Sequence, residues 1–278
     1  MRWRGRPGSE NIEDRRGTGI GLPIGGGIGG LVLLLLVSAL TGTNPIDLVN
    51  TADRGEGAVG TSGVRDNDPQ TQFVSVVLAD LEETWRQIFT DGGTPYVPPV
   101  LVLFTDATRS ACGVGKSMMG PFYCPADRKV YLDLSFFRDL EQRFGAPGDF
   151  AQAYVIAHEV GHHVQTVLGV TQRMASMRAR ADAPEANALS VRQELQADCF
   201  AGVWGHYAAR RDLLDPGDAE EGLRAAAAIG DDRLQHQSQG RVVPESFTHG
   251  TSEQRVRWLR RGLTAGRVDA CDTFTAES

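Results

Sequence analysis

The residues with the clearest chemical meaning in this sequence are His158, Glu159 and His162, which form an H-E-x-x-H motif. Residues four apart on a helix lie on the same face, one turn apart, so both imidazoles can reach one cation. Glu159 lies beside them, close enough to contact a water on that cation without being a ligand. The motif therefore predicts a hydrolase in which His158 and His162 bind one catalytic Zn²⁺ and Glu159 acts as general base.

A second helical segment offers the third protein ligand that a catalytic zinc site requires. Glu194 and Asp198 are four residues apart, on a helix that we expect to pack against the first. We predict that Glu194 is the carboxylate ligand, and that Asp198 accepts the free ring N–H of a ligating histidine and fixes its tautomer. The alternative is a solvated acidic edge, which fits poorly because apolar residues crowd this helix: Leu195, Ala197, Cys199, Phe200, Ala201, Val203 and Trp204.

Two nearby features carry weaker signals. His163 directly follows the motif, but its side chain points about 100° away from that of His162, which predicts a surface residue or one that supports a ligand. Asp231 and Asp232 resemble a pair of metal ligands, but their position beside a glycine at a helix end predicts a simple turn.

The elements that position these residues follow from hydrophobic periodicity. Helical spacing runs from Phe73 to Ile88 and recurs in four later segments, 149–168, 186–211, 216–229 and 252–262. Strand patterns occur at 100–104 and 129–134. Few strands followed by several helices predict an α+β fold, mostly helical with a small sheet.

Composition limits the classes of protein that remain. With 41% hydrophobic residues, a chain of 278 residues can bury a core, which excludes a disordered protein. The 28 Lys+Arg and 35 Asp+Glu give a net charge of −7, which argues against a nucleic-acid partner.

The N-terminal region contains an apolar stretch without charged residues, from Ile20 to Leu40. Its length suits a membrane span. We predict a cytoplasmic tail at 1–18, a transmembrane helix at 19–41, a flexible stalk at 42–70 and a zinc metallopeptidase domain at 71–278. Because arginines are concentrated before the span, the tail is expected inside and the domain outside the cell membrane. A cleaved signal peptide, which would give a secreted protein, and a buried helix are the alternatives.

The four cysteines are consistent with an extracytoplasmic domain, where disulfides persist. Four cysteines allow three pairings, and sequence alone does not select one. We favour Cys112 with Cys124, which flank a short loop, and Cys199 with Cys271.

Several segments together resemble a bacterial family of neutral zinc metallopeptidases. They are MRWRG at the start, EDRRG at 13–17, CGVGKSMMGPFYCPADRKVYLDLSFF, HEVGHH and ELQADCFAGVW. The resemblance covers nearly the whole chain. It implies a single-span membrane protein with a zincin-like H-E-x-x-H domain, and it brings no defined substrate.

The E-x-x-A-D element is also similar to that of the membrane heat-shock and prenyl-processing metallopeptidases, whose third ligand is that Glu. Those proteins place a His shortly before an Arg further along the chain, and His249 and Arg255 are comparably spaced here. We therefore expect His249 to be a catalytic hydrogen-bond donor to the oxyanion. Arg255 would brace the turn or contact substrate. A solvated turn histidine is the alternative.

These observations predict a membrane-anchored zinc endopeptidase that hydrolyses peptide bonds. Its expected partners are a peptide or protein substrate and the membrane, through residues 19–41. The alternative is a catalytically inactive zinc-containing binding or scaffold module at the cell envelope. The substrate and the oligomeric state stay open.

Overall fold

The computed structural model describes residues 1–17 and 68–275. Its main sheet contains β1 (Ile12–Asp14), β2 (Val100–Phe104), β5 (Phe122–Cys124) and β6 (Lys129–Asp133), in the order β1-β2-β6-β5. The first three strands in that order run parallel, and β5 is antiparallel to β6. A separate hairpin pairs β3 (Ala107–Ser110) with β4 (Gly113–Lys116). In β2 the four residues after Val100 are all buried, as expected for a continuous apolar run in a parallel strand.

Eight α-helices are present in the described ranges. They are α1 (Pro69–Asp91), α2 (Ser135–Gln142), α3 (Asp149–Val167), α4 (Val170–Arg178), α5 (Ala183–Arg210), α6 (Asp218–Ala228), α7 (Asp231–Gln239) and α8 (Ser252–Ala265). Short 3₁₀ turns lie at Ser117–Met119, Pro244–Ser246 and Val268–Cys271. The prediction of an α+β fold, mostly helical with a small sheet, is confirmed.

Helices α5 and α8 pack with their backbones in close contact, and glycines allow it. A Cβ on Gly202 of α5 would lie 2.2 Å from the carbonyl oxygen of Leu259, and one on Gly262 of α8 would lie 2.0 Å from that of Cys199. Either contact is too short for any side chain, so both positions require glycine. This crossing brings the start of α8 close to the acidic residues of α5.

The N-terminal residues belong to the folded domain, which corrects the prediction of a separate cytoplasmic tail at 1–18. Strand β1 pairs with β2, in the middle of the chain, and the Met1 amine lies 3.0 Å from Asp149 Oδ1. Arg16 Nη1 also lies 2.6 Å from Asp68 Oδ2, where the described chain resumes. Periodicity did not reveal β1, because three residues are too few to establish an alternation.

The predicted localisation, a single-pass membrane protein with its domain outside the cell, is wrong as a consequence. A single membrane crossing at 19–41 would place β1 and β2 on opposite sides of the membrane, yet they share one hydrogen-bonded ladder. Among the helices of residues 1–17 and 68–275, none is long and apolar enough to span a bilayer. The predicted span at 19–41 and nearly all of the predicted stalk lie outside the described residues.

Both favoured disulfides are present, Cys112–Cys124 and Cys199–Cys271. The first joins the β3–β4 hairpin to the edge strand β5. The second ties the turn after α8 to the centre of α5, beside Asp198. Each disulfide therefore holds a segment that borders the site described next.

Candidate metal centre

The centre is built where α3 crosses α5. A Cβ on Gly161 would lie 3.0 Å from the carbonyl oxygen of Ala197 and 3.1 Å from its Cα, so the glycine inside the H-E-x-x-H motif permits the close crossing. His158 and His162 flank Gly161 along α3, and Glu194 lies one turn before Ala197 on α5. The crossing therefore directs both imidazoles at one carboxylate.

The three side chains converge on a single point. His158 Nε2 lies 3.1 Å from Glu194 Oε2, and His162 Nε2 lies 3.4 Å from Glu194 Oε1. One potential ligand atom from each residue lies within 4.8 Å of the other two. Burial opposes the charge on Glu194, but the two imidazoles outweigh it and hold the pKa of this carboxyl well below its usual range. The group thus combines two nitrogen donors with an ionised carboxylate.

The ring of His158 is fixed from behind by a buried polar network. Its Nδ1 lies 2.8 Å from Asp198 Oδ1, which also accepts a hydrogen bond of 2.6 Å from the hydroxyl of Tyr154. Arg255 donates to both carboxylate oxygens of Asp198. Burial lowers the pKa of His158, but Asp198 and Glu194 more than offset this effect and raise it to about 10. With Nδ1 engaged by Asp198, the Nε2 atom is directed at Glu194.

His162 has an equivalent support from a neutral side chain. Its Nδ1 lies 2.9 Å from Gln165 Oε1, one turn further along α3. The fully buried Gln165 donates to the carbonyl of Gln193 and to Gln196 Oε1. Gln196 in turn donates to the carbonyl of Cys271 at 3.0 Å. A chain of amides therefore connects the orientation of His162 to the Cys199–Cys271 disulfide.

Glu159 lies in the same cavity as the three converging residues. The cavity has a volume of about 790 Å³, and its lining includes His158, Glu159, His162 and Glu194. Glu159 is 8% exposed, and this burial raises its pKa against the opposing effect of both histidines. A carboxyl with a raised pKa is a suitable proton acceptor near neutral pH.

His249 also lines this cavity, on the turn that precedes α8. Its Nδ1 lies 3.2 Å from Asp231 Oδ1, and its side chain is about half exposed at 52%. The hydrogen bond to Asp231 raises the pKa of His249, although partial burial opposes it. Asp231 Oδ2 also accepts the backbone N–H of His249 at 2.6 Å and that of Thr248 at 2.7 Å. The turn and its imidazole are thus held by one carboxylate.

Three expectations about the surroundings need correction. Asp231 and Asp232 do not form a simple turn, because they begin α7 and hold the segment that carries His249. Arg255 does not brace that turn, since it is 3% exposed and its guanidinium pairs with Asp198. His163 is not at the surface: it is 1% exposed, and its Nε2 lies 2.8 Å from the carbonyl of Val97.

A second acidic group in the described residues already contains a cation. Ligand atoms of Asp149, Asp218 and Glu221 lie within 4.8 Å of one another. The Met1 amine lies 3.0 Å from Asp149 and 3.2 Å from Asp218. That ammonium group supplies the positive charge which the carboxylates need.

Comparison with known proteins gives a consistent result. The model of a family described as "Putative neutral zinc metallopeptidase" matches residues 1–274. The chain is 51% identical over 284 residues to "Uncharacterized protein YpfJ" of Escherichia coli K12, with 99% of each chain covered. It is 44% identical over 192 residues to "Uncharacterized protein Rv2575" of Mycobacterium tuberculosis H37Rv, covering 65% of this chain and 64% of the relative. No solved structure matches, so a zincin-like fold stays a prediction.

Proposed function

The chain belongs to the neutral zinc metallopeptidase family, and from that premise we propose that it is a zinc-dependent endopeptidase. The observation that carries the proposal is the convergence of His158, His162 and Glu194, whose ligand atoms lie within 4.8 Å of one another in a cavity that also contains Glu159. Two imidazoles and one carboxylate are a ligand set typical of catalytic zinc, which leaves one coordination position for water.

The donor chemistry of the site fits this ion. His158 and His162 each have Nδ1 engaged, by Asp198 and by Gln165, so that Nε2 of each ring is directed toward Glu194. Such partners fix the tautomer of a ligating histidine and increase its basicity. We propose these three residues as the ligands of one Zn²⁺.

Hydrolysis then follows from the positions of the remaining groups. The chemistry that zinc supplies when bound is polarisation of the scissile carbonyl and a lower pKa for the attacking water. Glu159 accepts a proton from the water as its oxygen bonds to the carbonyl carbon. Glu159 then delivers this proton to the amine nitrogen as the C–N bond breaks. One water is consumed, and the products are a carboxylate and an amine.

His249 is proposed as the donor that stabilises the oxyanion. Asp231 engages its Nδ1, so Nε2 is the nitrogen left to face the cavity. The carboxylate also favours the imidazolium form, which donates the stronger, charge-assisted hydrogen bond. Donors placed at the site of developing charge lower the barrier because they need no reorganisation during the reaction.

The proposal is tested by incubating the zinc-loaded protein with an unfolded protein and identifying new peptide termini by mass spectrometry. We expect internal cleavage that a chelator abolishes and added zinc restores. A protein that binds one zinc per chain yet produces no new termini would support the inactive binding module instead.

A further inference from the structure

Besides the candidate metal centre, the cavity of the proposed peptidase has an apolar part of its lining. That part includes Met118, Met119, Phe122, Phe136, Phe144 and Leu234. Met118 is 85% exposed and Met119 is 69% exposed, although both are large apolar residues. Contiguous apolar surface at a cavity mouth is typical of a binding site.

The walls of this region are connected to each other and are therefore preformed. The segment 117–121, which carries both methionines, is anchored where the backbone N–H of Ser117 donates to the carbonyl of Asp106 at 2.7 Å. The hydroxyl of Ser117 donates to the buried carboxylate of Asp133. That carboxylate also accepts the backbone N–H of Ser135 at 2.9 Å, at the start of α2. One carboxylate thus joins the methionine segment to the start of α2, the helix that carries Phe136.

The aromatic wall lies directly beneath that segment. Phe136 is on α2 and Phe144 follows its end, and their ring centroids are 6.3 Å apart. A Cβ on Gly120 would lie 3.5 Å from the ring of Phe136, so the backbone of the segment passes over this ring. The Cys112–Cys124 disulfide closes the loop that contains the segment.

We propose that these residues form an apolar subsite that receives a large apolar side chain of a peptide substrate, next to the scissile bond. The inference rests on the proposed function, because the subsite is continuous with the cavity that contains Glu159. Flexible thioethers and aromatic rings adapt to bulky apolar groups. The charged residues in the lining of this part, Asp139 and Arg143, are of opposite sign and favour neither an acidic nor a basic side chain.

The experiment measures binding separately from turnover. Labelled peptides of identical sequence, except for Phe, Leu, Ala or Asp at one central position, are titrated into the zinc-loaded Glu159→Gln variant. We expect the Phe and Leu peptides to bind at least about tenfold more tightly than the Ala and Asp peptides. The same peptides are offered to the wild-type protein, and the rates of cleavage are compared.

Variants identify the residues responsible. The double variant Met118→Ser/Met119→Ser changes exposed positions and should reduce the preference for Phe over Ala several-fold, as should Phe136→Ala. Met177→Ser is the matched control, since Met177 is 49% exposed and lies outside the cavity lining, and it should keep the preference.

Equal or absent binding of the four peptides would overturn the subsite, as would a preference that survives in the methionine double variant. Selective binding without cleavage by the wild-type protein would leave the subsite standing and contradict the proposed peptidase function. Cleavage without any preference at the variable position would support the peptidase function and overturn the subsite.

Discussion

Arg255 and Asp198 form a buried bidentate ion pair, with Nε–Oδ2 and Nη2–Oδ1 distances of 2.8 and 2.9 Å. The same carboxylate lies 2.8 Å from Nδ1 of His158. Because α8, α5 and α3 each contribute one of these residues, the pair connects the packing of three helices to the orientation of one proposed ligand. The charge of Asp198 is balanced by Arg255, so it orients the histidine without being left uncompensated in the interior.

Replacement of Asp198 tests this connection. Asp198→Ala should lower zinc affinity by roughly 10- to 100-fold, because His158 loses the partner that fixes its tautomer. It should also reduce the free energy of unfolding by about 3–5 kcal/mol, since Arg255 remains buried without a counter-charge. Competition with a chromogenic chelator and urea denaturation measure the two quantities.

The double variant Asp198→Ala/Arg255→Met separates the two effects. Stability should recover in part because no buried charge remains, while zinc affinity should stay low. Wild-type zinc affinity in either variant would contradict the orienting role of Asp198.

Replacement of Gln165 should also lower zinc affinity, in this case through the orientation of His162. Gln165→Ala removes the acceptor at 2.9 Å from His162 Nδ1, and we expect a loss of zinc affinity of about tenfold or more. Gln152→Ala, six residues before His158 on the same helix, is the control and should leave the affinity unchanged. The same chelator competition decides the matter, and equal affinities in the two variants would refute the role of Gln165.

The pairing of His249 with Asp231 predicts a pH dependence. If protonated His249 is the donor, kcat should fall as pH rises through its pKa, which Asp231 raises. Asp231→Asn removes the carboxylate, so the pKa of His249 decreases and the basic limb of the kcat profile should move to lower pH. His249→Ala should lower kcat roughly a hundredfold to a thousandfold while zinc content is retained.

Asp232→Asn is the matched control for this experiment. Asp232 accepts hydrogen bonds from the backbone N–H and the hydroxyl of Ser252, at 2.8 and 2.9 Å, rather than from His249. The basic limb of the kcat profile of Asp232→Asn should coincide with that of the wild type. A limb that stays in place in Asp231→Asn would show that His249 is not the titrating donor.

The two disulfides should differ in their contribution to stability. Cys199 and Cys271 are separated by 72 residues, whereas Cys112 and Cys124 are separated by 12. By the loop-entropy relation, replacing the first pair with serines should cost about 4 kcal/mol and replacing the second about 3 kcal/mol. Urea denaturation of the two double variants measures the difference, and the reverse order would contradict this explanation.

Local patterns predicted much of the candidate site. His158 and His162 share a helix face because of their spacing, and Glu194 and Asp198 do so for the same reason, whatever the rest of the fold. Strand β2 was also predicted with its observed bounds, because a continuous apolar run between turn residues is a local signal.

Contacts between distant segments could not be predicted in this way. The sequence around Gln165 does not indicate that its side chain contacts Nδ1 of His162. The sequence around Arg255 does not indicate that its guanidinium is buried against Asp198. Helical geometry predicted that the side chain of His163 points away from that of His162. It could not show that Tyr96 and Tyr123 contact the His163 ring on that side of the helix. The carboxylate of Asp231 likewise accepts backbone N–H groups of Thr248 and His249, a contact across 17 and 18 residues that a local pattern does not show.

Proton transfer by Glu159 in a zinc-dependent hydrolysis is tested most directly by one paired measurement. Zinc content and the rate of peptide-bond cleavage are measured for the wild type and for Glu159→Gln, in the same preparations and with the same unfolded substrate. We predict one zinc per chain in both proteins, and a loss of at least about a hundredfold in kcat for the variant. Cleavage by Glu159→Gln at the wild-type rate, with zinc bound, would show that Glu159 is not the group that transfers the proton.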